Sequence, residues 1–223
     1  MDLIFERQWV HYLALGILLT GTAFFSRIGG VRAGNLWGIG TPAWLWIAVG
    51  CAVLHQVYVW FCWRTELHAR LLTRLLEKRA FPVYAFGFAL IGFLRTAAVL
   101  LLAISNRNTM PGSLIMLRAL ALLLFLPSLY LFYSVVRFFT FRRALGIDHF
   151  EKSSQSAPFV REGIFRYTPN GMYIYGFLLL WAVALWYASL AALGAALFNH
   201  IYIFVHYYAT ELPDMKRIYG KSP

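Results

Sequence analysis

The sequence predicts an all-α polytopic membrane protein of about six transmembrane helices, with both termini cytoplasmic and a C-terminal helical hairpin. Three observations carry this. Charged residues make up 13% of the chain and hydrophobic residues 61%, whereas a soluble domain is about 25% charged; this excludes a soluble globular enzyme, and such apolar content excludes disorder. The apolar residues fall in solid runs of about twenty rather than in ~10-residue alternating segments, so a β-barrel is excluded. Finally, of the twenty Lys and Arg residues, fifteen fall in the termini and the even-numbered connections and three in the odd-numbered ones, a positive-inside bias that six spans satisfy. The net charge of +11 therefore belongs to cytoplasmic loops facing anionic headgroups rather than to nucleic-acid binding.

The chain reads as one membrane domain, 1–223, with four N-terminal spans in 1–136, a cytoplasmic loop at 137–171, and a helical hairpin and tail at 172–223. Residues 9–25 form the first run; acidic Asp2 and Glu6 ahead of it argue against a cleavable signal. A Gly-rich connection, 27–42, reads as a flexible loop. The second run, 43–63, has Trp44, Trp46, Trp60 and Trp63 at its two ends, an aromatic-belt pattern. In 64–79, Leu67, Leu71 and Leu75 with Leu72 and Leu76 make an apolar stripe with basic flanks, a helix that lies on the surface or prolongs the second span. The third and fourth runs are 81–104 and 114–136, separated by a turn carrying Pro111-Gly112. The last apolar stretch, 172–208, is too long for one span and right for two short ones, with the turn near Ser189.

Little in the spans suggests chemistry. Cys51 and Cys62 lie on one helix, too far apart to bridge. The histidines show no metal-ligand spacing, and Walker and Gly-x-Ser-x-Gly motifs are absent, so no metal is expected. Arg118 near a span end reads as snorkelling; Arg95 lies deeper, with no acid in any span to pair with it. His55-Gln56 reads as an interhelix hydrogen-bonding pair. Polar residues gather in two places, in 158–173 before the fifth span and at Asn199, His206, Thr210, Glu211 and Asp214 at the end of the sixth. A hairpin brings both to the cytoplasmic surface, where they suit a charged soluble cofactor meeting a lipid, or serve as interfacial helix ends.

The run Phe159-Val160-Arg161-Glu162-Gly163-Ile164-Phe165-Arg166-Tyr167, then Met172-Tyr173, a span pair, Thr210-Glu211 and Ile218-Tyr219-Gly220 resembles the integral-membrane methyltransferases, which include phospholipid N-methyltransferases and isoprenylcysteine carboxyl methyltransferases. The resemblance covers 158–220. It departs from the family pattern where Pro169-Asn170-Gly171 replaces Arg-His-Pro and where Thr210 replaces the first of two glutamates. It implies S-adenosylmethionine as cofactor, with Arg166, Tyr167, Asn170, Gly171, Met172, Tyr173, Thr210 and Glu211 as its binding residues. It also implies methyl transfer to a membrane lipid or lipidated acceptor at the cytoplasmic leaflet. An amine acceptor must lose a proton, for which Glu211 or His206 is the candidate catalytic base; a carboxylate acceptor needs none. The rival readings are an NADPH-dependent membrane reductase of the steroid-reductase type, against which the short stretch after Gly220 weighs, and a non-enzymatic lipid-binding protein.

Overall fold

The computed structural model describes residues 3–156 and 158–220. It is built almost wholly of helices: α1 Gln8–Phe25, α2 Gly29–Arg32, α3 Thr41–Ala69, α4 Leu71–Leu76, α5 Ala80–Ser105, α6 Leu114–Ser134, α7 Phe141–Ala144, α8 Gly171–Gly176, α9 Leu178–Trp186, α10 Leu190–His206 and α11 Leu212–Tyr219. Among the described residues five helical stretches are long and apolar enough to cross a membrane: Gln8–Phe25, Thr41–Ala69, Leu71–Ser105, Leu114–Phe139 and Leu190–Tyr219. Gly171–Trp186, where the sequence predicts a fifth span of six, is apolar but shorter and is interrupted at Phe177.

The helix ends follow local chemistry. Pro42 occupies the first turn of α3, where its missing N–H costs nothing. That helix runs past the apolar stretch to Ala69 and stops at Arg70 in a left-handed conformation, so the 64–79 stripe is divided between its end and α4. Ser189 caps α10 by accepting a hydrogen bond from the Ala192 amide. Pro127 sits inside α6, and the helix loosens into a π-turn at Val135–Phe139. The Gly-rich connection, expected to be a flexible loop, is ordered. A two-residue hairpin, β1 Asn35–Leu36 with β2 Ile39–Gly40, turns at Trp37 and Gly38, both at positive φ, as a tight hairpin turn requires.

The centre of the bundle is α10, which packs on α1, α3, α5 and α9, while α3 lies along α5 and α6 along α9. Ala191, Ala192, Ala195 and Ala196 are fully buried on α10; small side chains let neighbouring backbones approach closely, as membrane bundles need. The rim is opposite in character. Ile115, Met116, Phe86 and Phe93 are exposed, the surface a lipid solvent covers.

Two polar knots hold the bundle. At one end Asn106 donates to the Gly30 and Ala33 carbonyls and accepts from Ser189 Oγ, the Ala191 amide and Thr109 Oγ1, joining three connections. In the middle Arg95 finds neutral partners instead of an acid. Its Nε donates to Asn199 Oδ1 at 2.5 Å, its NH1 lies 3.2 Å from His55 Nδ1, and its guanidinium sits 4.8 Å from the Phe177 ring centroid. Arg118 lies over Trp186.

Candidate functional site

At the end away from the Asn106 knot a cleft of about 60 Å³ is lined by residues from five separate segments. They are Trp63 of α3; Phe139, Arg143, Ala144, Gly146, Asp148 and His149 of the connection after α6; Phe159; Met172 and Tyr173 of α8; and Glu211 and Met215 at the chain's end. Local sequence explains how they meet. Gly146 has φ +77°, and a Cβ there would stand 2.5 Å from the Trp63 ring. Only glycine lets the turn Ile147–His149 close onto α3. The His149 imidazole then stacks on the Trp63 indole, with centroids 4.2 Å apart and planes at 14°. Gly163, also at positive φ (+58°), seats the next loop on α6: the Ile164 amide donates to Ser134 Oγ, and Ile164 and Phe165 are buried there. After α10 a π-turn, Tyr207–Glu211, inserts an extra residue per turn. Thr210 faces α1, where its hydroxyl accepts from Gln8 Nε2, and Glu211 meets α8, where its carboxylate accepts from the Tyr173 hydroxyl.

The cleft is rich in acids. Asp148 accepts from the Tyr219 hydroxyl at 2.5 Å on one oxygen; its other oxygen is buried with no hydrogen-bond partner. Behind the cleft Asp214, fully buried, lies 2.9 Å from Arg64 Nε and 3.5 Å from His149 Nε2. Arg64 is itself fully buried and donates to the carbonyls of Leu3, Ala209 and Thr210. It thus binds the N-terminal segment, α3 and the C-terminal turn around one carboxylate, and a buried charge tolerates such a place only when paired and hydrogen-bonded. Glu6 adds an outer link to Arg217 at 2.6 Å. That hydrogen bond holds its carboxyl below the ordinary carboxylate range.

Over this segment the sequence has relatives. Residues 116–222 match the phospholipid methyltransferase family. No curated protein and no solved structure matches the chain. The matched segment takes in α6, the connection carrying Asp148 and His149, the loop seated on Ser134, and the polar end of α10, so it supplies every wall of the cleft except Trp63. The match begins further towards the N-terminus than the resemblance read over 158–220.

The sequence-derived residues are distributed unevenly about this cleft. Glu211, Met172 and Tyr173 line it. Asn170 stands at the start of α8, where its carbonyl accepts from the Tyr173 and Ile174 amides and its side chain reaches Tyr207. Gly171 is buried against Ile164 and Phe165. Arg166 and Tyr167 are exposed, the guanidinium over the phenol ring. Thr210 is engaged by Gln8. His206 is buried one layer below, with ring centroids 6.0 Å from Trp63 and 6.3 Å from His11. Trp63, Arg143, Asp148 and His149 lie at the cleft without having been singled out. Asp148-His149 carries a signal of its own, an acid and an imidazole adjacent in a connection too long to be a mere turn.

Proposed function

We propose that the protein transfers a methyl group from S-adenosylmethionine to the amine headgroup of a membrane lipid at the cytoplasmic leaflet. The observation that carries this reading is the acid-lined, aromatic cleft in the family-matched segment, with a buried Asp148 oxygen left without a partner beside Glu211. The fit is chemical. Glu211 and Asp148 are acceptors for an ammonium and a ribose diol, Arg143 is the cation for a carboxylate, and Trp63, Phe139 and Phe159 offer ring faces for a purine. The cleft is small beside the 300–1,000 Å³ of typical ligand sites; Met172 and Met215, unbranched and adaptable, are the walls that yield.

When bound, the cofactor supplies an electrophilic methyl on a sulfonium that leaves without acid assistance. This chain's residues then have three tasks. Glu211, fixed by Tyr173, and Asp148, fixed by Tyr219, orient the donor. The aromatic walls keep water out. An acidic surround favours a cationic headgroup over an anionic one. On this reading, which the Lys and Arg bias supports, this end and both termini face the cytoplasm, and the shorter apolar Gly171–Trp186 pairs with Leu190–Tyr219 as the sixth span.

Thermal unfolding of the detergent-purified protein tests the cofactor. A ligand at 100 times its Kd stabilises by about 2.7 kcal/mol, so S-adenosylhomocysteine raises Tm and NADPH leaves it unchanged. Stabilisation by NADPH alone points to the reductase reading; stabilisation by neither points to a lipid-binding protein without cofactor.

A further inference from the structure

We propose that His149 is the catalytic residue that removes the proton from the lipid ammonium, with Asp214 as the positioning residue that orients its imidazole. The assignment rests on the methyltransferase reading above and adds to it the group that makes the acceptor nucleophilic.

Of the six histidines, His149 alone lines the cleft; His206, an equally buried ring, is beneath it. The His149 ring is fixed on both sides of its chemistry. The Trp63 indole covers one face, and Nε2 stands 3.5 Å from Asp214 Oδ2. Asp214 is held in turn by Arg64, so the carboxylate cannot rotate away. Neither ring nitrogen makes a hydrogen bond: Nε2 stands within ion-pair distance of Asp214, and Nδ1 is buried without any partner. A buried imidazole with one nitrogen beside a fixed carboxylate and the other unengaged has the arrangement of an oriented general base. The charged and titratable groups around it are Asp214 with Arg64, Arg217 and His68 on the carboxylate side, its neighbour Asp148, His206 beneath the Trp63 ring, and Glu211, Arg143 and Tyr173 across the cleft. Glu211 already accepts the Tyr173 hydroxyl and Asp148 the Tyr219 hydroxyl; His149 is left to take a proton.

The step balances as follows. The headgroup R–NH₃⁺ gives one proton to Nδ1 of neutral His149. The freed lone pair forms the N–CH₃ bond as the C–S bond breaks and its electrons go to sulfur. The products are R–NH₂CH₃⁺, a neutral thioether and an imidazolium that returns its proton to water.

The test uses full-length protein in vesicles containing an aminophospholipid, with S-adenosylmethionine as donor and S-adenosylhomocysteine binding as the control for folding. At pH 7, His149→Gln is expected to lose about 100-fold or more in kcat, with S-adenosylhomocysteine affinity within about twofold of wild type. The deficit closes as pH rises towards the headgroup amine's own pKa. It also disappears with a fluorinated ethylamine headgroup, which is neutral at pH 7. A loss equal at every pH and for both headgroups overturns the assignment, as does no loss. Should the Gln variant not fold, His149→Asn is the substitute. Should neither fold, the wild-type profile decides: its ascending limb must vanish with the fluorinated headgroup, and persistence of that limb refutes the proposal. Absence of methyl transfer by wild type defeats the underlying function and this assignment together.

Discussion

Glu211 and Arg64 show what single residues do here. Glu211 is reached through the motif at the end of α10, and its carboxylate is held by Tyr173 at the cleft. A charge-assisted hydrogen bond that this carboxyl group accepts from a ligand ammonium is worth about 1.5–3 kcal/mol. Glu211→Gln is therefore expected to weaken S-adenosylhomocysteine binding about ten- to a hundredfold in a calorimetric titration while the protein stays folded; unchanged affinity excludes Glu211 as a ligand. Arg64 was not legible as more than a basic residue at the end of an apolar run. Nothing local shows that Asp214, 150 positions later, packs against it. Arg64→Leu removes the 2.9 Å partner of buried Asp214 and leaves only the longer contacts to His149 and Arg217, a loss of up to about 3–5 kcal/mol; a Tm within a degree or two of wild type would contradict this account of the clamp. Arg95 presents the same difficulty in another form. The absence of an acid in the apolar runs of the sequence hid its partners because they are an amide and an imidazole, Asn199 and His55.

Among the elements, the runs that became α1, α3, α5 and α6 were legible to within a few residues because apolar length is decisive in a membrane. The connection between α6 and α8 was not. It has no periodicity, and its conformation depends on two glycines at positive φ, Gly146 and Gly163, whose neighbours Trp63 and Ser134 are distant in sequence. Gly146→Ala forces a left-handed residue to carry a Cβ against the indole. It is expected to displace Trp63 from His149, costing about 1–3 kcal/mol, with a shifted tryptophan emission and weakened S-adenosylhomocysteine binding; an unaltered emission spectrum would show that the contact does not hold the turn. Gly171 differs, since a Cβ there meets Ile164 at 3.3 Å and Phe165 at 3.4 Å. Gly171→Val overpacks the loop, with a cost of about 1–3 kcal/mol. It should lower apo stability and leave cofactor affinity within about twofold; the reverse pattern would put Gly171 in the cofactor's path.

For the molecule as a whole, the C-terminal segment that matches the family completes its cleft with the end of α3, and the N-terminal segment is fastened to the same end through Glu6 and Arg64. Because the Arg217 hydrogen bond lowers the Glu6 pKa in the folded state, that fastening is fully present above about 4.5 and is lost as pH falls through the lowered value. Protection of the residue 3–7 amides, taken relative to the intrinsic exchange rate at each pH, should therefore fall on acidification below pH 4.5 before that of the spans, and Glu6→Gln should remove this pH dependence. The charge bias makes a further prediction: a reporter fused at the C-terminus is expected in the cytoplasm and one after Arg107 on the other side, and a C-terminal reporter outside the cytoplasm would contradict it. Membrane character was legible from composition; of the cleft residues only Glu211, Met172 and Tyr173 were singled out as site candidates, because the connection carrying Asp148 and His149 has no periodicity and Trp63 is distant in sequence. The central claim is methyl transfer to lipid at this cleft. Its most direct test is mass spectrometry of vesicle lipids after incubation with the purified protein and methyl-labelled S-adenosylmethionine, beside Glu211→Gln. The account predicts labelled N-methylated aminophospholipid with wild type and markedly less with the variant at limiting donor; unlabelled lipid with wild type, or equal labelling with both, would contradict it.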